Sequence, residues 1–179
     1  MTSRPTLIAQ LGDVMQMAFI PRDFDASLRF WTETMGVGPF FLHEHAGLKD
    51  VLYRGQPTDV DFGVAIAYWG DVQVELVQQH NDAPSIYKEW LDAGHEGLHH
   101  VCIVVDDMEK ARADCDAAGA VVVQEGRLSE GEVIYVDVSG GPGPIIEIIK
   151  LPPAVLNGFA FMRQSARGWD GSDPVRRLG

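Results

Sequence analysis

Four polar residues stand where apolar ones are expected. Gln16 shares a strand face with Val14 and Ala18, and His100 shares one with Leu98 and Cys102. Glu75 sits inside Val74-Glu75-Leu76-Val77, and Glu147 inside Ile145-Ile146-Glu147-Ile148-Ile149. A polar side chain buried among apolar ones costs roughly 2–7 kcal/mol if it finds no partner. Two carboxylates, one imidazole and one amide oxygen form a suitable donor set for a divalent ion such as Zn, Mn, Co, Ni or Fe. Such an ion would also let two buried carboxylates coexist without strong repulsion or raised pKa values. Taken singly, a Glu or Gln in a strand more often faces solvent, and a buried His is more often a satisfied core group. The set reads differently from its members because the four occupy matching places in a repeat; Gln16 alone keeps the solvent-facing alternative.

The repeat is what must position them. Gln16-Met17-Ala18-Phe19-Ile20 overlays His100-Val101-Cys102-Ile103-Val104, an offset of 84 residues. Each segment is followed by an acidic turn, a helical pattern, and then period-two or short apolar runs that argue for strands. In the first copy Asp23 is placed to cap a helix carrying Phe24, Leu28, Trp31 and Met35 on one face, with Gly36 at its end. Strands are expected over 40–45, 61–69 and 72–78. In the second copy Asp106 and Glu109 have capping-box spacing, Met108, Ala111, Cys115 and Ala118 form the buried stripe, and Gly119 ends the helix. Strands are expected over 121–124, 132–138 and 144–150. The chain therefore reads as an α+β protein of two βαβββ modules, about 12–78 and 97–150, within a single domain spanning 1–179. A pseudo-twofold relation would bring the first and last strand of each module, and with them all four polar residues, to one place.

Other segments are plainer. Residues 82–93 read as a linking helix, with Pro84 near its start and Ile86, Trp90 and Leu91 at helical spacing. After Pro152 and Pro153, the C-terminal extension 151–179 carries Phe159, Phe161 and Trp169 and reads as a packed extension rather than a lid or dimer strap. Gly140, Gly141, Pro142 and Gly143 lack the lysine and strand-to-helix context of a phosphate loop and read as a hairpin turn. His43 and His45 share a face of a solvated edge strand.

Composition excludes whole classes of partner. With 26 acidic and 14 basic residues the net charge is -12, which repels nucleic-acid backbones and anionic membranes. An apolar content of 46% in 179 residues is ample for a continuous core. Cys102 and Cys115 form neither a CxxC pair nor a disulfide framework, which suits reduced cytosolic thiols. Neither a secretory leader nor a run of ~20 apolar residues is legible, so a cytoplasmic, soluble protein is expected.

Gln16-Met17-Ala18-Phe19-Ile20 with Phe24-Asp25-Ala26-Ser27-Leu28-Arg29-Phe30-Trp31, Val74-Glu75-Leu76-Val77, Gly97-Leu98-His99-His100-Val101 and Ile146-Glu147-Ile148-Ile149 together resemble the vicinal-oxygen-chelate superfamily. The likeness runs from about Gly12 to Lys150 and lies nearest methylmalonyl-CoA epimerases and their glyoxalase-like relatives. It implies two βαβββ modules pairing into a cupped mixed sheet with helices outside, and a metal held by Gln16, Glu75, His100 and Glu147. The Gln-Glu-His-Glu set is similar to that of animal-type glyoxalase I, whereas epimerases more often begin with His. Epimerases also carry a separate acid in an early strand, and Asp59 and Asp61 are out of step with it.

The chemistry implied is proton transfer next to a carbonyl. A metal that holds two substrate oxygens stabilises the enediolate left when the adjacent carbon loses a proton. By resemblance, Glu147 is the base and Glu75 its partner on the opposite face. The expected protein is a metal-dependent isomerase, epimerase or glyoxalase-type lyase with a small-molecule substrate, and a homodimer. An extradiol-type ring-cleaving dioxygenase is the first rival, but it prefers two His on iron. His99 should point away from His100 by strand alternation. The second rival is a metal-free binding protein of the same fold. An anionic thioester would favour basic residues such as Arg22, Lys49, Arg54 and Arg127.

Overall fold

The computed structural model describes residues 8–138 and 145–178; Pro144 and the expected glycine-rich hairpin lie outside the described residues. The first module comprises β1 (Val14–Ile20), α1 (Phe24–Arg29), β2 (Phe40–His43), β3 (Lys49–Tyr53), β4 (Gln56–Pro57), β5 (Phe62–Trp69) and β6 (Val72–Gln79). The linking helix α2 is Ile86–Asp92. The second module is β7 (Gly97–Val104), α3 (Met108–Ala117), β8 (Val121–Arg127), β9 (Glu132–Asp137) and β10 (Ile145–Lys150). The C-terminal extension adds α4 (Pro153–Ala166) and β11 (Val175–Arg177). All strands join one mixed sheet in the order β11-β2-β5-β6-β1-β7-β10-β9-β8-β3-β4. The antiparallel β1–β7 pair is the seam between modules, and β6 and β10 run parallel to β1 and β7 on either side of it.

Alternation along these strands decides which face does what. Val74 and Leu76, on either side of Glu75, pack with Phe24, Leu28 and Trp31 of the first helix. Ile148, next to Glu147, packs with Met108, Ala111 and Cys115 of α3. Both helices thus cover the face opposite the two glutamates. On the glutamate face, Ile86 and Tyr87 of α2 pack with Ile20, Phe62, Val77, Val133 and Tyr135. Farther along that face Met162 of α4 meets Phe41, Ile66 and Tyr68.

Details depart from the sequence reading for local reasons. The first helix passes into a π turn over Phe30–Thr34, with Met35 N–H bonded to Phe30 O. That extra residue per turn rotates Met35 off the buried stripe, leaving it 39% exposed. The cap of α3 is Asp107 rather than Asp106, accepting from Lys110 N. The β3–β4 hairpin, unforeseen in the sequence, turns on Arg54 and Gly55, both at positive φ as a two-residue primed turn demands. It crosses to pair with β8 at the edge of the second module.

After the loop 168–174 the extension ends in a short strand. β11 pairs in parallel with β2, and Trp169 packs over Gly38, where a Cβ would lie 2.7 Å from the ring. Met162→Ala should cost about 2–4 kcal/mol in urea unfolding, the usual range for a truncated buried methionine. A loss under about 0.5 kcal/mol would mean α4 is loosely docked.

Candidate metal centre

Strand pairing brings the four sequence-selected residues onto one face of four adjacent strands. Ala18 faces both Glu75 and His100 across the β1–β6 and β1–β7 ladders, and Gln16 faces Gln73 and Cys102. Glu147 in turn faces Cys102. Partner residues in register point the same way, so Gln16, Glu75, His100 and Glu147 converge within one chain. Glu75, His100 and Glu147 each offer a ligand atom within 4.8 Å of the others. His100 Nε2 lies 3.2 Å from Glu147 Oε2 and 3.6 Å from Glu75 Oε2.

His100 has no exposed surface, and both glutamates are buried to within a tenth of their area. Despite the short distances, His100 Nε2 makes no hydrogen bond of acceptable geometry. A fully buried, orphaned imidazole nitrogen flanked by two acids is the arrangement a divalent ion satisfies, and the mixed N/O set suits first-row ions. The residues therefore fit such an ion, which Glu75, His100 and Glu147 would hold with Gln16 alongside.

The electrostatics are those of a cation site. Burial disfavours charge on His100, yet Glu147 and Glu75 outweigh it and hold the imidazole up at about 9. Burial raises Glu75 above the usual carboxylate range and the charge of Glu147 adds to this, against the lowering influence of the neighbouring His100 and Gln16. An incoming ion must displace the His100 proton. Apparent ion affinity should therefore rise as pH rises, by up to about tenfold per unit from pH 7, and flatten above about 9. Calorimetric titrations across that range would measure it; a flat profile would remove His100 from the site.

Further residues stand behind the cluster. Gln16 Nε2 donates to Gln73 Oε1 at 2.9 Å, and Gln73 Nε2 donates to the Tyr68 hydroxyl at 2.8 Å. Tyr135 donates to Glu147 Oε1 at 3.2 Å and itself accepts from Tyr87 at 3.0 Å. The Cys102 thiol is pushed up by burial and the nearby carboxylates. Gln73 could have been found: it lies two residues before Glu75, on the same face, and is fully buried.

His99 requires a correction. Strand alternation placed it away from His100, but β7 is irregular here: Ala18 pairs with His100 and Phe19 with Leu98, leaving His99 without a partner on β1. This bulge turns the His99 ring toward His100, with the two Nδ1 atoms 2.9 Å apart. Burial holds His99 down to about 3, so it is neutral.

The remaining candidates lie elsewhere. His45 pairs with Asp61 at 2.7 Å and stacks near His80, while Asp59 and His43 are exposed. Arg54 is bound to Glu89, and Arg22 to the Leu91 carbonyl. Lys49 and Arg127 do converge, across the β3–β8 ladder in a groove of about 860 Å³ that also contains Arg112 and Lys150. Pairing through Glu132 and Lys150 puts that groove on the face opposite Glu147. Among the described residues, no helix is long and apolar enough to cross a membrane.

Comparison with known proteins agrees with this architecture. The sequence profile of the Glyoxalase/Bleomycin resistance protein/Dioxygenase superfamily matches residues 15–136. No curated protein matches the sequence. A hypothetical protein from Bacillus halodurans is similar in structure at 15% identity, with TM-score 0.57, over 78% of this chain and 94% of its own. Methylmalonyl-CoA epimerase from Streptomyces coelicolor is similar at 19% identity and TM-score 0.54, over 80% and 96%. The Mycobacterium tuberculosis methylmalonyl-CoA epimerase gives 13% and 0.55, over 80% and 91%. At such identities the structural likeness speaks for the fold alone. With the profile covering more than half its length and the paired βαβββ sheet in place, the chain belongs to the glyoxalase/bleomycin resistance protein/dioxygenase family, the vicinal-oxygen-chelate superfamily.

Proposed function

We propose that this protein is a divalent-metal-dependent isomerase or epimerase, or a glyoxalase-type lyase, that moves a proton on the carbon next to a carbonyl of a small molecule. One observation carries the reading: the orphaned His100 Nε2, set 3.2 and 3.6 Å from two buried carboxylates. A bound ion polarises the carbonyl and offsets the negative charge that develops as the neighbouring carbon loses its proton.

The chain's own groups do the rest. Glu147 takes the proton, and Tyr135 holds its carboxylate in place through a hydrogen bond. Glu75, raised by burial, is suited to return a proton from the other side. Gln16 is held beside Glu75 by the amide chain through Gln73 that ends on Tyr68. The ring-cleaving alternative calls for a second imidazole on the ion, and His99 instead directs its Nδ1 to His100.

Structural neighbours include an epimerase in complex with 2-nitronate-propionyl-CoA and one with methylmalonyl-CoA, which makes acyl thioesters the first substrate class to test. The same reading makes the protein a cytoplasmic homodimer, although all four site residues come from one chain. The test is incubation of ion-loaded protein with a panel of acyl-CoA thioesters and 2-oxo thiol adducts in deuterated water. Exchange of the α-proton, followed by NMR, is the expected result. Oxygen consumption with an aromatic diol would replace this reading with the dioxygenase, and tight binding with neither reaction would replace it with a binding protein.

A further inference from the structure

The bulge at His99 buries an imidazole where packing alone asks only for a ring. His99 is 1% exposed and sits against Tyr87 and Trp90, with ring centroids 6.0 and 5.2 Å away. Phenylalanine would fill that space without the cost of burying two ring nitrogens. One ring nitrogen is committed to the neighbouring histidine. His99 Nδ1 lies 2.9 Å from His100 Nδ1. Two facing nitrogens at that distance need one hydrogen between them, and a neutral imidazole has only one N–H to give. A His100 that holds an ion through Nε2 carries its one N–H on Nδ1, so the shared hydrogen belongs to His100 and His99 Nδ1 accepts it.

We propose that His99 is a positioning residue for the ion site: its Nδ1 accepts the Nδ1–H of His100 and so fixes the tautomer and ring plane that direct His100 Nε2 between Glu75 and Glu147. The proposal rests on the reading of His100 as an ion ligand. It extends that reading with a buried acceptor behind the ligand, packed against Tyr87 and Trp90. Metal-bound histidines characteristically donate their second N–H in this way, and losing the acceptor typically costs 10–100-fold in metal affinity. Here the acceptor is another histidine, supplied by a bulge. The arrangement also couples α2 to the site, because Tyr87 and Trp90 of that helix pack against the ring behind His100.

Two substitutions separate acceptor from packing. His99→Phe keeps an aromatic ring between Tyr87 and Trp90 but removes the acceptor. His99→Asn sacrifices the ring but can place an amide oxygen near the position of Nδ1. Calorimetric titration of the full-length protein with Co²⁺ is expected to show ion binding in the wild type, a loss of about 10–100-fold in His99→Phe, and recovery of most of that loss in His99→Asn. Wild-type affinity in His99→Phe overturns the proposal, as does an equal loss in both variants with circular dichroism unchanged. A measurement on the unsubstituted, ion-free protein stands apart from folding of the variants. Nitrogen NMR should show coupling through the hydrogen bond between the two Nδ1 nuclei, with the proton on His100. Absence of that coupling, or the proton on His99, overturns the proposal even if the ion binds. Coupling without any ion uptake keeps the hydrogen bond but sinks the ion-site reading on which its role depends.

Discussion

His100→Ala is expected to weaken binding of a divalent ion by roughly two to three orders of magnitude. The ~10–16 kcal/mol typical of a four-ligand zinc site, divided among its ligands, is about 2.5–4 kcal/mol each. The substitution should also destabilise the ion-free protein at neutral pH, because His100 carries the only positive charge between two buried carboxylates, 3.2 and 3.6 Å away. Removing one partner of such a buried group usually costs 3–5 kcal/mol. The pH dependence has a definite sign. The folded pKa is raised from 6.5 to about 9, so the wild type holds this contribution fully below pH 6.5 and loses it as pH rises through 9. Urea midpoints of wild type and variant should therefore converge toward high pH. Parallel curves across that range would mean the imidazole is not charged in the ion-free protein.

Glu147→Gln is expected to leave the fold and much of the ion affinity intact while lowering α-proton exchange by about 10²–10⁴-fold, the usual worth of a positioned general base. Glutamine preserves the side-chain shape and can still accept from Tyr135, which donates to Glu147 Oε1 at 3.2 Å. It cannot take a proton. Glu75→Gln should slow the return step instead, so an epimerisation would lose net turnover more than it loses solvent exchange. Exchange that survives in Glu147→Gln but not in Glu75→Gln would reverse the two roles.

The face of the sheet that carries the candidate site was legible because β1, β6, β7 and β10 each place a polar residue among apolar neighbours at matching positions of the repeat. A period of two leaves little choice of side once the apolar neighbours are buried by α1 and α3. Which residues stand behind those four was harder to read. Tyr135 looks like an ordinary core aromatic, and its hydroxyl matters only because β9 lies beside β10. His99 was misplaced because a bulge breaks the alternation that the reading relied on, and nothing in Gly97-Leu98-His99-His100 announces an unpaired residue. The β3–β4 hairpin escaped for a similar reason: Arg54 occupies a left-handed position usually marked by Asn or Gly. β11 is three residues long and exists by adding to the edge of β2, so it has no pattern of its own.

The most direct test of the ion site is the metal content of the intact protein. Protein stripped with chelator, exposed at pH 8 to Mn²⁺, Co²⁺, Ni²⁺ and Zn²⁺ in turn and freed of excess by gel filtration, would be assayed by mass spectrometry beside His100→Ala. About one ion per chain in the wild type, and far less in the variant, is the result expected for a cluster of Glu75, His100 and Glu147. No retained ion of any kind in the wild type, or equal retention in His100→Ala, would contradict it.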